Sequence, residues 1–209
     1  DADEYLSDEL KKEITKVLEE VPNKINGFLI KRKFYFLGRW LKYGDMCPSL
    51  IRLTRKGSAY YINTGGYGRE KVVVKGDVLN LTYYIIHDDK KGIMEWIRKQ
   101  TLRASMDAIE RFRISVNGKS MEDKVDLRSV TVEELKQIRL RKVSLKIPGP
   151  VRPFAKFLYR YIIKLGFLDG WPGFIYHFLL QFWYPLIVEA MYEEFKSRQK
   201  LPDQDDVGW

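Results

Sequence analysis

Two acids one residue apart, Asp1 and Asp3, stand at the head of this 209-residue chain, which begins Asp-Ala-Asp-Glu. Carboxylate oxygens suit hard cations such as Mg²⁺ or Mn²⁺. An ion held this way can neutralise charge growing on a diphosphate leaving group. That chemistry needs both carboxylates at the end of a strand, facing one ion. The plainer reading of the same residues is an acidic helix N-terminus, where negative charge suits the helix dipole. His87-Asp88-Asp89 also invites a metal reading. Neighbouring side chains on a strand alternate faces, however, so the three cannot all meet one ion, and Asp88 or Asp89 is better placed as a helix cap. In the run Leu-Ile-Arg-Leu-Thr-Arg-Lys-Gly, Arg52 is the residue suited to grip a phosphate through two parallel bonds. Arg55 and Lys56 read as charges guarding an exposed strand edge.

The elements that must carry these groups are legible from patterning. Ser7 is placed to cap a helix with Asp8 and Glu9 in its first turn. Leu10, Ile14, Val17, Leu18 and Val21 give that helix one apolar stripe, and Pro22-Asn23 ends it. Strand-like runs follow at Gly27 to Phe36, Leu50 to Thr54, Ala59 to Ile62, Lys71 to Gly76 and Val78 to Ile86, separated by glycine-rich turns. A second helix is predicted from about Lys91 to Phe112, with Ile93, Trp96, Ile97 and Ala104 on one side, and a loop after it. Ile147-Pro148-Gly149-Pro150 marks a stiff break. The expected class is α/β, with a unit over 1–146 and a helical, basic and aromatic tail over 147–209.

Charge and composition narrow the function. Hydrophobic residues make up 45% and aromatics 14%, enough for a core. The single cysteine, Cys47, excludes a disulfide framework and a multi-cysteine zinc site, and two histidines argue against a histidine-rich metal site. No signal-peptide pattern opens the chain. The net charge of +9 calls for an anionic partner. No acid occurs from Leu135 to Leu168, where nine lysines and arginines fall. Phe154, Phe157, Leu158, Tyr161 and Leu165 share one helical face there, and Lys156, Arg160 and Lys164 another. An apolar stripe beside a basic one is the pattern of a helix lying on an anionic membrane surface, or of an amphipathic helix packed on its own domain. The fifteen residues from Phe174 to Val188 are too few to span a bilayer, which takes about 20, and suggest an interfacial or re-entrant helix hairpin. Nucleic acid is set aside, because the positive charge alternates with bulky aliphatic residues and no nucleic-acid motif stands out.

Taken in order, "DADEYLSDELKKEI", "NGFLIKRKFYFLGRWLKYGDMCPSLIRLTRKG", "REKVVVKG", "IIHDDKK" and "LYRYIIKLGFLDGWPGFIY" resemble the back half of a bacterial family 2 glycosyltransferase of the GT-A type. The nearest group is the lipopolysaccharide- and capsule-type enzymes of the cell envelope. The resemblance covers nearly the whole chain. It implies a C-terminal GT-A portion in which Asp1 and Asp3 bind a divalent metal and the diphosphate of a nucleotide-sugar donor, and it raises the metal reading of these acids above the helix-start reading. Glu4 is the next residue of that motif. The resemblance also implies that the nucleotide-binding half lies ahead of Asp1, so that the chain is a fragment, inactive by itself. An inverting transfer needs a carboxylate to deprotonate the acceptor hydroxyl. Where similar enzymes carry a His-Glu pair, this chain has Arg69-Glu70, so Glu70 is the candidate base; the alternative is a surface glutamate paired with a neighbour. Trp40 and Tyr43 are candidates to stack on an acceptor sugar, or are core aromatics, and His87 to line the acceptor cleft. The implied acceptor is a lipid-linked or envelope glycan, and the implied location is the cytoplasmic face of the cell membrane. A non-enzymatic membrane-surface module is the competing expectation.

Overall fold

A computed structural model describes residues 3–46, 49–63, 70–117 and 147–199, except for the side chains of residues 63, 70 and 71. The fold is mixed α/β. Strand β1 (Glu4–Leu6) leads into helix α1 (Asp8–Glu20), followed by β2 (Ile25–Phe36), β3 (Arg39–Leu41), β4 (Ser49–Thr54), β5 (Ala59–Asn63), β6 (Glu70–Val74) and β7 (Asp77–Asp88). Helix α2 (Gly92–Asn117) comes next. After residue 147 come α3 (Arg152–Leu158), α4 (Gly170–His177) and α5 (Tyr184–Arg198), joined by wider π-helical turns at Tyr159–Ile163 and Phe178–Trp183.

The main sheet runs β1-β7-β2-β3, with β4 pairing the other half of β2's free edge, while β5 and β6 form a separate hairpin. β2 and β7 lie parallel, and every other pairing is antiparallel. Side chains alternate along β2, so Phe28, Ile30, Arg32, Phe34 and Phe36 share one face. Helix α1 covers the Phe28–Ile30 end with Leu10, while α2 and α4 cover the Phe34–Phe36 end with Trp96 and Tyr176. The face is apolar at both ends and carries a charge, Arg32, between them.

Local chemistry explains the boundaries. Ser7 Oγ accepts the Leu10 N–H at 3.2 Å, with Asp8 and Glu9 in the first turn of α1, as the capping pattern predicts. Asp1 lies outside the described residues, but Asp3 and Glu4 do not open a helix. They enter a strand, because the β7 edge offers backbone partners, with Glu4 opposite His87. Asp89 takes the Lys91 N–H at 3.0 Å just before α2, which continues five residues past the expected Phe112. The expected loop beyond residue 117 lies outside the described residues.

The helical segment differs from expectation. Phe174 to Val188 is not a hairpin: Gly170 to Arg198 runs helically throughout, and the π turn ahead of Pro185 absorbs the missing N–H and the ring clash. The hairpin lies one step earlier, with its apex at Gly166–Asp169. Ring contacts Phe154–Phe182, Phe157–Phe178 and Tyr161–Phe174 show the two arms to be antiparallel. No helix among the described residues is long and apolar enough to cross a membrane.

This hairpin is fastened to the sheet by polar groups. Asp169, 2% exposed, accepts the backbone N–H groups of Lys42 and Tyr43 at 3.0–3.1 Å. Arg160 donates to the Gly44 and Asp45 carbonyls, and the Gly44 N–H to Lys164 O. His177 is fully buried beneath that loop, and neither of its ring nitrogens has a hydrogen-bond partner. A β-carbon on Gly44 would stand 2.1 Å from its Cε1, and one on Gly166 would stand 2.6 Å from its Nε2. At the far end, Glu189 of α5 pairs with Arg111 of α2 and with Arg152 at 3.7 Å, and Tyr184 donates to Asp107 at 2.8 Å.

Gly44→Ala and Gly166→Ala are each expected to lower unfolding free energy by about 2 kcal/mol, measured by urea denaturation, because the imidazole has no room to yield. Burial, followed by the nearby Arg160 charge, pushes the His177 pKa down to about 4, against a smaller opposing pull from Asp169. The unfolded chain therefore binds a proton below about pH 6.5 that the folded chain refuses down to about pH 4. This stability is complete above pH 6.5 and falls by about 1.4 kcal/mol per pH unit as pH drops through the window. His177→Gln should flatten that slope in denaturation curves taken across the window.

Candidate functional site

Arg32 falls on the inward phase of β2, where a lone cation would be costly to bury. Glu4, delivered by β1 and itself 8% exposed in its side chain, answers it at 3.6 Å. Arg52 of β4 donates to the same Glu4 oxygen at 2.9 Å. His87, opposite Glu4 on β7, brings Nδ1 to within 3.7 Å of Glu4 and Nε2 to within 3.8 Å of Asp3. Its ring stacks on Phe34, with centroids 5.1 Å apart.

These histidine contacts are not ion pairs at neutral pH. Burial and then the Arg32 charge lower the His87 pKa, outweighing the pull of Asp3, Glu4 and Asp89. The imidazole is neutral there, and its buried Nδ1 has no hydrogen-bond partner. It can therefore accept or relay a proton.

The cluster sits where Phe34 and Tyr35 of β2 lie beside His87 and Asp88 of β7, at the carboxyl ends of the parallel pair. Such ends, where loops leave an open α/β sheet, are where ligands bind. A cavity of about 380 Å³ adjoins it, lined by Glu4, Tyr5, Arg52, Tyr61 and Val72 among others. Its far wall is thus the β5–β6 hairpin, whose strand β6 begins at Glu70. That volume suits a sugar-sized ligand.

Among the expected residues, the structure brings together Asp3, Arg52 and His87. The Glu70 backbone lies on the hairpin across the cavity; its side chain, like Asp1, is outside the described residues. Trp40 and Tyr43 stand elsewhere. Trp40 is opposite Tyr35, on the other face of the sheet from His87. There Lys33 and Lys42 approach its ring at 4.5 and 4.7 Å. With Arg39, Tyr43, Leu168 and Asp169 it lines a second cavity of about 460 Å³. Asp89 does not cap the helix directly: it accepts the Lys91 N–H one residue ahead of Gly92, making a turn into α2, and takes Lys99 Nζ at 3.2 Å.

Sequence reasoning passed over Arg32 and gave Glu4 no definite part. The signal was available, because Arg32 interrupts an otherwise apolar inward phase. Asp169 and His177 were also missed as fasteners, since their partners lie more than a hundred residues away.

Metal binding is compatible with the donor type but incomplete among the described residues. The Glu4 carboxylate is engaged by two guanidinium groups. Asp3, with 28% of its side chain exposed, is the acid left to meet an ion. Among the described residues no cluster of three or more His, Cys, Asp or Glu is arranged to hold one. Mg²⁺ is commonly held by one or two carboxylates plus substrate phosphates and waters, and Asp1, the other expected ligand, lies outside the described residues.

No family model matches the chain, and neither the curated proteins nor the solved structures include a similar one.

Glu4→Gln is expected to destabilise the fold by about 2 kcal/mol by removing the carboxylate charge that Arg32 meets on the inner face. Pairing it with Arg32→Leu should recover most of that loss, and a double-mutant cycle by chemical denaturation would measure the coupling.

Proposed function

We propose that this chain is part of a glycosyltransferase that moves a sugar from a nucleotide-sugar donor to a lipid-linked or cell-envelope glycan. The observation that supports the reading is the acid, guanidinium and neutral imidazole cluster at the carboxyl end of the parallel pair, of which Glu4 and Arg52 line a sugar-sized cavity.

In this reading Asp3, with Asp1 ahead of it in the sequence, would hold Mg²⁺ or Mn²⁺, which would supply positive charge to offset the negative charge developing on a departing diphosphate. Arg52 now bonds Glu4, and a phosphate oxygen entering the cavity would share its guanidinium. Arg32 holds the Glu4 carboxylate in place. Glu70 takes the proton from the acceptor hydroxyl as that oxygen attacks the anomeric carbon. The bond from the anomeric carbon to the diphosphate oxygen breaks on the opposite side, which inverts the centre. His87, neutral and beside Asp3, orients the acceptor. Trp40 and Tyr43 would then serve a more distant part of a glycan acceptor, since Trp40 faces the opposite side of the sheet.

The test is transfer from a panel of nucleotide sugars with Mg²⁺ or Mn²⁺, in the protein as its gene encodes it. Glu70→Gln should lower kcat by about 10²-fold or more while donor binding stays intact. Asp3→Asn should weaken donor binding as well. Full turnover in both variants would overturn the reading.

A further inference from the structure

The helical hairpin exposes an unbroken ladder of aromatic rings along its seam. Trp171 stacks on Phe174 at 5.4 Å, Phe174 on Phe178 at 6.0 Å, Phe178 meets Phe182 at 5.2 Å, and Phe182 meets Phe154 at 4.7 Å. Tyr161 links Phe174 to Phe167 at the apex. Trp171 is 69% exposed, and Phe154, Leu158, Leu165, Phe167, Leu168 and Phe178 are exposed too. A contiguous apolar patch of this kind on a folded chain marks a surface that meets something.

Its charge says what. From Val151 to Val188 the one acid is Asp169, which is buried against the Lys42 and Tyr43 amides. The rim is cationic. Lys156 is exposed on α3, Lys164 stands at the apex, Lys42 is exposed beside Asp169, and Arg39 packs 3.2 Å from where a β-carbon of Gly170 would be. Two such hairpins meeting face to face would bring like charges together. An anionic sheet of phosphates above a hydrocarbon layer would complement both the rim and the ladder.

We propose that the Arg152–Trp183 hairpin is a membrane-docking surface that lies flat in the headgroup layer of anionic lipid, aromatic seam inward. Aromatic rings and cationic side chains are the groups that favour this layer, and no helix among the described residues is long and apolar enough to cross it. The docking does not depend on sugar transfer. Apolar side chains stand in water on the isolated chain because the bilayer is what covers them.

Flotation of the chain with vesicles of phosphatidylcholine, with and without phosphatidylglycerol, tests it. The chain should float with the anionic vesicles and lose binding at high salt. Trp171→Ser with Phe167→Ser should weaken binding at least about tenfold. Lys156→Ala with Lys164→Ala should weaken it about thirtyfold. If the aromatic pair also lowers the melting temperature, the lysine pair carries the test alone. The proposal is overturned if the intact chain does not float, or if the variants float as it does. It is equally overturned if the chain is a dimer in solution that the same substitutions dissociate.

Discussion

One charge on the inner face of the sheet organises the molecule. β2 alternates cleanly, so Arg32 has to lie between Ile30 and Phe34 on the face that helices cover. A guanidinium there is tolerable only with a carboxylate beside it, and Glu4 is the one that answers. That pairing holds the short strand β1 against β7, places Asp3 beside His87, and draws Arg52 in from β4. It also divides the core in two, since neither apolar cluster can close over an ion pair. The polar gap between the clusters is the candidate site.

The second organising feature is the way distant helices are tied down. The apex of the hairpin meets the β3–β4 loop through directed polar contacts. Asp169 satisfies two loop amides, Arg160 two loop carbonyls, and His177 fills the space left by two glycines. This arrangement uses the inner side of the hairpin for attachment and leaves the aromatic outer side unpaired. Stability and exposure are thus assigned to opposite sides of the same two helices. A helix packed only through its apolar stripe could not have done that, because the stripe would have been consumed in the packing.

The two cavities lie on opposite faces of one sheet end. One is bordered by acids and arginines and the β5–β6 hairpin; the other by Trp40, lysines and the helical apex. The second adjoins the proposed lipid surface through Leu168 and Asp169.

Much of this was readable from the residues in order. The helix cap at Ser7, the helix after Asp89 and five of the seven described strands emerge from periodicity and capping, which act over a few residues and so leave a local record; the short β1 and β3 do not. The acid-free, lysine- and arginine-rich stretch from Leu135 to Leu168 and the aromatic helix pattern pointed to a cationic, aromatic surface. Other features left no such record. Whether Asp3 opens a helix or precedes a strand depends on the β7 edge, more than eighty residues away. Trp40 and Tyr43 look like partners of His87 in sequence, yet strand alternation and register put Trp40 on the opposite face. The roles of Gly44, Asp169 and His177 depend on contacts across more than a hundred residues. Local propensity determined the elements of this protein; only long-range pairing, where burial forces each charge to find its counterpart, decided which side chains meet.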